Sequence, residues 1–315
     1  MTGDVAAGSE DSGAGAVFDT LLAADPDGRR AAKVFRRSFD QIYDGQHTGR
    51  YRWDQLTKTE RTYFGTVIEI NLRNAFADVV GDGRLLDYRI AGLDVDCKYS
   101  QSFGGWMVPP EGVNQILLVC HASDENSEWA MGVVRAVPAI LRESVNRDGK
   151  TGISTGGRSH IRWLHFGAPM AENVLLHAVP EDQSRIFAKK SGQQRLNEMF
   201  RLIQRRVIDR AAVATVAQQD DYMKRARANG GSKTALAREG ILVIGGDYST
   251  HREVAAQLGL PVPGAGQFVS ARIALADEAD PYSVELDGRL WRVAEDSDPT
   301  VTAPKLPDHR GSRDT

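Results

Sequence analysis

The stretch Leu93-Asp94-Val95-Asp96-Cys97-Lys98-Tyr99 constrains the fold most, because apolar and charged side chains strictly alternate along it. Such alternation predicts a β-strand, whose successive side chains face opposite ways. Leu93, Val95, Cys97 and Tyr99 then share a face suited to a core. Asp94, Asp96 and Lys98 share the other. Two carboxylates and an ammonium within several ångströms are expensive to bury unless a divalent cation neutralises the acids. Hard oxygen ligands suit Mg2+, which binds through one or two carboxylates and keeps waters for a phosphate substrate. Such an ion polarises a phosphoryl oxygen and lowers the pKa of bound water. A lysine two residues beyond an acid orients or helps deprotonate that water, or stabilises the developing charge. Asp87, across the tight Ala91-Gly92 connection, offers a second carboxylate. Glu69, between Ile68 and Ile70 on a helix, is placed to point inward as a third. Taken alone, Asp-any-Lys also fits an ordinary solvated strand. The apolar flanks and the extra acids bring the two readings level.

Around this strand the first half reads as helices followed by strands. Residues 30–43 carry apolar side chains at helical spacing. A longer helix starts near Thr57 with Glu60 three residues on, the pattern of a capping box, and runs toward Gly81-Asp82-Gly83. Strands are expected at 85–90, 93–99, 113–121, 129–137 and 161–166. The second half opens with helices near 193–216 and 218–228, then a short one capped by Ser232. A strand at 241–244, a helix capped by Ser249, a strand at 267–276 and a hairpin through Asp287-Gly288 follow. The fold class is α/β in the α+β sense: a mixed sheet with helices, then a module in the order of a winged helix. Residues 1–15 and 297–315 lack a periodic apolar pattern and read as disordered tails.

A chain of 315 residues has a prior of about two domains. Its net charge of −3 argues against a polyanionic partner only if the charge is evenly spread. From Arg185 to Arg252 there are 14 Lys and Arg against 6 Asp and Glu, so the second half holds a basic stretch and the remainder is acidic. No apolar run approaches the roughly 20 residues of a membrane span, and no secretory signal is evident. Two cysteines exclude a disulfide scaffold and fit a reducing cytoplasm. Both lie in strands and read as small packers. The seven histidines show no zinc spacing with them.

An acid, a spacer of about ten residues, then acid-any-lysine on a strand is the arrangement of the nuclease superfamily named for its Pro-Asp…Asp/Glu-any-Lys motif. More specifically, Ser38-Phe39-Asp40-Gln41-Ile42-Tyr43-Asp44-Gly45-Gln46-His47-Thr48-Gly49-Arg50-Tyr51, the Glu69-bearing helix and Asp94-Val95-Asp96-Cys97-Lys98 resemble NaeI-type (type IIE) restriction endonucleases over nearly the whole chain. The resemblance implies a homodimer that cuts double-stranded DNA with Mg2+ at the palindrome GCCGGC. It implies a restriction-endonuclease-like domain related to the mismatch-repair endonuclease (16–167). It also implies a winged-helix-like, helix-turn-helix domain (168–296) that binds a second DNA copy and thereby activates cleavage. Carried over residue by residue, the catalytic set is Glu69, Asp87, Asp96 and Lys98. Strand geometry adds Asp94 to the metal ligands. Ile42-Tyr43-Asp44-Gly45 departs from the Lys-any-Asp-Gly of nucleotidyl ligases. Isoleucine is no nucleophile, so Ile42 is expected to pack and Gly45 to end a helix.

Reading a G·C palindrome calls for side chains at base edges, arginine to guanine above all. Candidates in the first domain are Ser102, Trp106, Arg158, Ser159, His160 and Arg162. In the second, Arg201 and Arg205, with Arg195, lie near one helix face. Lys224, Arg225 and Arg227 follow, and Lys233 opens a short helix. Each also fits a plain surface role. Two other functions remain open: a repair nuclease of the same superfamily, and a non-catalytic winged-helix regulator. The second gives no reason for Lys98 to stand beside clustered acids.

Overall fold

The computed structural model describes residues 11–227, 230–277 and 280–307. They form two compact units. One takes in the described residues up to Ile42 together with Leu56–Glu172, and the other takes in Tyr43–Gln55 and the described residues from Asn173 onward.

The first unit contains helices α1 (Ser12–Ala24), α2 (Arg29–Tyr43) and α4 (Lys58–Ala75); α3 (Gly45–Thr48) belongs to the second. A six-stranded mixed sheet runs β1 (Val80–Asp82), β2 (Tyr88–Ile90), β3 (Leu93–Tyr99), β5 (Ile116–Ser123), β6 (Glu128–Arg135), β8 (Arg162–Pro169). Only the β3–β5 pair is parallel; the other neighbours are antiparallel. β4 (Met107–Val108) and β7 (Thr151–Gly152) make a small second sheet.

Local chemistry accounts for much of this. Thr57 and Glu60 form the expected capping box at the start of α4. Ala91 (φ 50°) and Gly92 (φ 78°) take the paired left-handed conformations that a two-residue hairpin turn demands. The helices cover the face of the sheet bearing Val95 and Tyr99. Phe64 of α4 meets Tyr99 edge-on at 5.1 Å, Phe35 of α2 meets Trp129 of β6 at 5.2 Å, and Tyr88 Oη donates to Glu69 O at 2.7 Å. The opposite face is packed by Leu117, Val119, Val134, Trp106, Val108, Ile140 and Ile153. Buried Arg36 reaches from α2 to buried Asp124 across this unit.

The second unit packs α3, α5 (Pro180–Phe187), α6 (Gly192–Leu202), α7 (Arg210–Ala217), α8 (Tyr222–Ala226), α9 (Ser232–Ala237) and α10 (Ser249–Gln257) with an antiparallel sheet. Its strand order is β11 (Ser283–Leu286), β12 (Arg289–Val293), β10 (Phe268–Leu275), β9 (Ile241–Gly245). Asp287 (φ 51°) and Gly288 (φ 71°) make the expected hairpin turn.

Several expectations change. The helix expected at 193–216 is two. Ile208 pairs with Phe268, and Arg205 (φ 58°) donates its amide to Ser270 O, so tertiary pairing with β10 interrupts the helix. Ser232 and Ser249 are the first residues of their helices and not the caps, which are Gly231 and Tyr248. Gly45 does not end α2. Asp44 takes the left-handed turn, and Gly45 is needed because a Cβ there would lie 2.0 Å from Thr215 Oγ1. Residues 12–15, expected disordered, open α1 because Asp11 accepts hydrogen bonds from Gly13 N and Ala14 N. Residues 1–10 and 308–315 of the expected tails lie outside the described residues. Residues 297–307 have no helix or strand, yet Ala303 is buried and donates its amide to Ala237 O at 2.8 Å. Among the described residues no helix is long and apolar enough to cross a membrane.

Candidate active site

β3 and the start of β2 place the acids. Register pairs Tyr88 with Val95, so continuing it by one residue sets Asp87 opposite Asp96. Lys98 pairs directly with the Asp96 Oδ1 carboxylate and lies 3.9 Å from Asp87 Oδ2. Asp87 Oδ2 also accepts from Cys97 N at 2.8 Å, which fixes it against β3. Asp96 is buried and its Oδ2 has no hydrogen-bond partner. Burial and the facing Asp87 raise its pKa to about 6, against the pull of Lys98. Glu69, half-buried on α4, is likewise raised, first by burial and then by Asp87, with Arg73 and Lys98 opposing.

Asp87 and Lys98 thus lie within electrostatic reach of both Glu69 and Asp96. Asp94 is turned aside. Its Oδ1 accepts from Arg84 N at 3.0 Å and lies 4.0 Å from Arg89 Nη1. Among the described residues no three His, Cys, Asp or Glu side chains converge as a ready metal cage. What is present is a pair of carboxylates with one buried oxygen unsatisfied. That hard-oxygen set fits Mg2+, which needs only one or two carboxylates and retains water. Sequence reasoning missed Gly112. It closes a 3-10 turn (Pro110–Gly112), and a Cβ there would lie 3.2 Å from Asp96 Oδ2. Pro109-Pro110-Glu111-Gly112 signals a turn, but nothing local tells that it lands on Asp96.

The other candidates divide. Trp106 is fully buried, with Nε1 donating to Cys120 O at 2.8 Å; it is a core residue and no DNA contact. Cys97 and Cys120 are buried free thiols, and burial pushes Cys120 far above the usual range. Arg158 lies over the Phe103 ring, 5.9 Å from its centroid, and donates to Gly104 O. His160 is exposed. Arg162 lies over Phe18 and 3.7 Å from Asp19.

In the second unit much of the basic stretch is consumed internally. Arg195 donates to Val216 O (2.6 Å) and Ala217 O (2.8 Å), closing the end of α7. Arg201 holds Glu239 through two bonds (2.7 and 2.8 Å) and pairs with buried Glu198. Arg205 lies beyond the end of α6 and donates to Ala294 O. Arg225 pairs with Asp221 at 2.8 Å, and Arg227 approaches Asp247 at 3.9 Å. Burial lowers the Lys233 ammonium to about 8, with Asp247 opposing the shift. Lys224 is exposed.

The model of the family described as restriction endonuclease NaeI matches residues 16–302. The type II restriction enzyme NaeI of Lentzea aerocolonigenes is 47% identical over 297 residues, covering 91% of this chain and 92% of its own length. With a match that runs through both units and includes the carboxylate–lysine strand, the chain belongs to the NaeI family of restriction endonucleases.

Proposed function

We propose that the protein hydrolyses phosphodiester bonds of double-stranded DNA at a palindrome, GCCGGC in the family resemblance, with the reaction at β3. The observation that carries this reading is the buried Asp96 carboxylate, with Lys98 on one oxygen, nothing on the other, and Asp87 opposite.

Asp96 and Asp87 would hold Mg2+, with Glu69 beside them; Asp94 would first have to leave the Arg84 amide. The ion, when bound, polarises the scissile phosphate and supplies a water of lowered pKa. Lys98 brings its ammonium to the phosphoryl oxygens as they gain charge and orients the attacking water. Water oxygen bonds to phosphorus as the bond to the leaving deoxyribose oxygen breaks; Glu69 would accept the water's proton, and the leaving oxygen would take one from solvent. Asp96, with a pKa near 6, is largely ionised at neutral pH and so would offer its carboxylate to a cation.

Symmetric cutting of a palindrome calls for a two-fold homodimer with one site per strand. The segment 16–167 serves as the endonuclease domain. The segment 168–296 serves as a winged-helix-like domain binding a second DNA copy, and the enzyme works in the cytoplasm. The test is a digest of a sequenced plasmid by the full chain with Mg2+. Discrete fragments with one end sequence are expected, and no cleavage with any divalent ion overturns the reading. Adding a short duplex bearing the site should accelerate cutting of a one-site plasmid. An unchanged rate removes the effector role alone.

A further inference from the structure

On the face of the first unit that bears Lys98, a group of aromatic rings stands open to solvent. Phe103 is 41% exposed and Phe166 62%, unusual values for such large apolar side chains. Their rings lie 5.6 Å apart, edge to face. Trp163 supports both, at 5.8 Å from Phe103 and 5.0 Å from Phe166. Fully buried Trp106 lies 5.4 Å from Phe103, so the exposed rings rest on a packed base.

Register locates this group relative to the acids. Lys98 pairs with Val119, Val119 with Gly132, and Gly132 with Trp163, and residues paired across a sheet share a face. Trp163 therefore stands in the same cross-strand row as Lys98, three strands away. At roughly 4.8 Å per strand the separation is about 14 Å. Along a duplex, about 14 Å spans about four base pairs. Val119 in that row is fully buried and packed with Trp106 and Val108, so a duplex with one phosphate at Lys98 would pass over this layer to bring nearby base pairs to the rings.

The charge around the rings favours a polyanion. Beside the rings, Arg158 and exposed His160 lie on the turn Gly157–His160, while Arg162 and His165 turn to the opposite face of the sheet, toward Phe18 and Asp25. Arg158 lies over Phe103 and has no ion-pair partner among the described residues.

Resting on the nuclease reading above, we propose that Phe103 and Phe166 form an aromatic wedge that packs against bases of the bound duplex and unstacks one base step, a few base pairs from the scissile phosphate. Exposed apolar side chains that insert at a base step kink the duplex and so select deformable sequences. The rings would thus contribute to site choice without a hydrogen bond to any base.

The experiment uses the full chain and duplexes of the cleaved site carrying the fluorescent cytosine analogue pyrrolocytosine at each cytosine in turn, in chelator so that no cutting occurs. Emission rises when this base unstacks. Wild type should brighten one position several-fold. Phe166→Ala and Phe103→Ala should lose that brightening while keeping wild-type melting temperature and most of the affinity, and Phe166→Trp should retain it. Three results overturn the proposal. No position brightens with wild type. The brightening survives both alanine variants. Phe166→Ala keeps the brightening but falls from dimer to monomer in sedimentation, which makes the patch a contact between copies. Failure of the underlying reading is separately visible, because wild type would then not cut the plasmid with Mg2+.

Discussion

β3 and the basic stretch of the second unit both concentrate charge, and they treat it in opposite ways. At β3 the structure buries Asp96 and leaves Oδ2 without a partner, so the charge is held ready for something that binds. In the second unit Arg195, Arg201, Arg205 and Arg225 spend their guanidinium groups on main-chain carbonyls or on Glu239, Glu198 and Asp221. The acid strand, with fewer charges, is the chemically primed one. The basic stretch, with a surplus of eight in the sequence, keeps fewer cations without an acidic partner among the described residues, such as exposed Lys224 and Arg210, which donates to the Tyr222 hydroxyl. A count of charges in a sequence therefore overstates the field offered to DNA wherever arginines serve as caps and struts.

Substitutions sharpen that contrast. The largest expected effect is on chemistry at β3. Asp96→Asn should lower plasmid cleavage by about a hundredfold to a thousandfold or more, the scale of removing a principal electrostatic group. Its melting temperature without metal should stay level or rise, because a desolvated charge is removed. Cleavage assays and thermal melts on the same preparation check both. Arg195→Ala should act the other way. Loss of two charge-assisted bonds to Val216 O and Ala217 O is expected to destabilise the fold by about 1–3 kcal/mol in urea titrations. The cleavage rate at fixed folded concentration should change little.

A smaller effect follows from the titration of Asp96. Its folded pKa of about 6 lies above the ordinary aspartate value of 3.8, so between those values the native state holds more protons than the unfolded one. Its contribution to stability is therefore fully present below about 4 and is lost as pH rises through about 6. Melting temperature against pH, without metal, should fall across that window, and Asp96→Asn should flatten the fall. The smallest effect is a control. Gly65 is interior to α4 with nothing within 4 Å of a Cβ, so Gly65→Ala should stabilise by about 0.5–1 kcal/mol and leave cleavage unchanged.

Period-two alternation gave β3 with both its ends, and the capping box gave the start of α4, because each rests on chemistry within a few residues. Asp87 was legible as well, since a two-residue turn leaves little freedom in register. The turn of Asp94 toward Arg84, the landing of Gly112 on Asp96, and the burial of Trp106 depend on contacts made by the folded chain, which local patterns do not carry. The same holds for the break between α6 and α7. A continuous helical pattern gave way to pairing of Ile208 with Phe268, sixty residues downstream. Helix α1 was missed because its small residues show little amphipathic contrast, and α5 because Pro180 at its first turn resembles the end of a loop.

In the proposed mechanism Lys98 acts in the chemical step on DNA that the protein has already bound. Single-turnover cleavage by Lys98→Ala, with duplex affinity measured by fluorescence anisotropy on the same protein, tests it most directly. The rate should be lower by about a thousandfold, with affinity within a factor of about ten and an unchanged fold. A variant that cuts at nearly the wild-type rate would contradict it, and so would one that loses cleavage only because it no longer folds or binds.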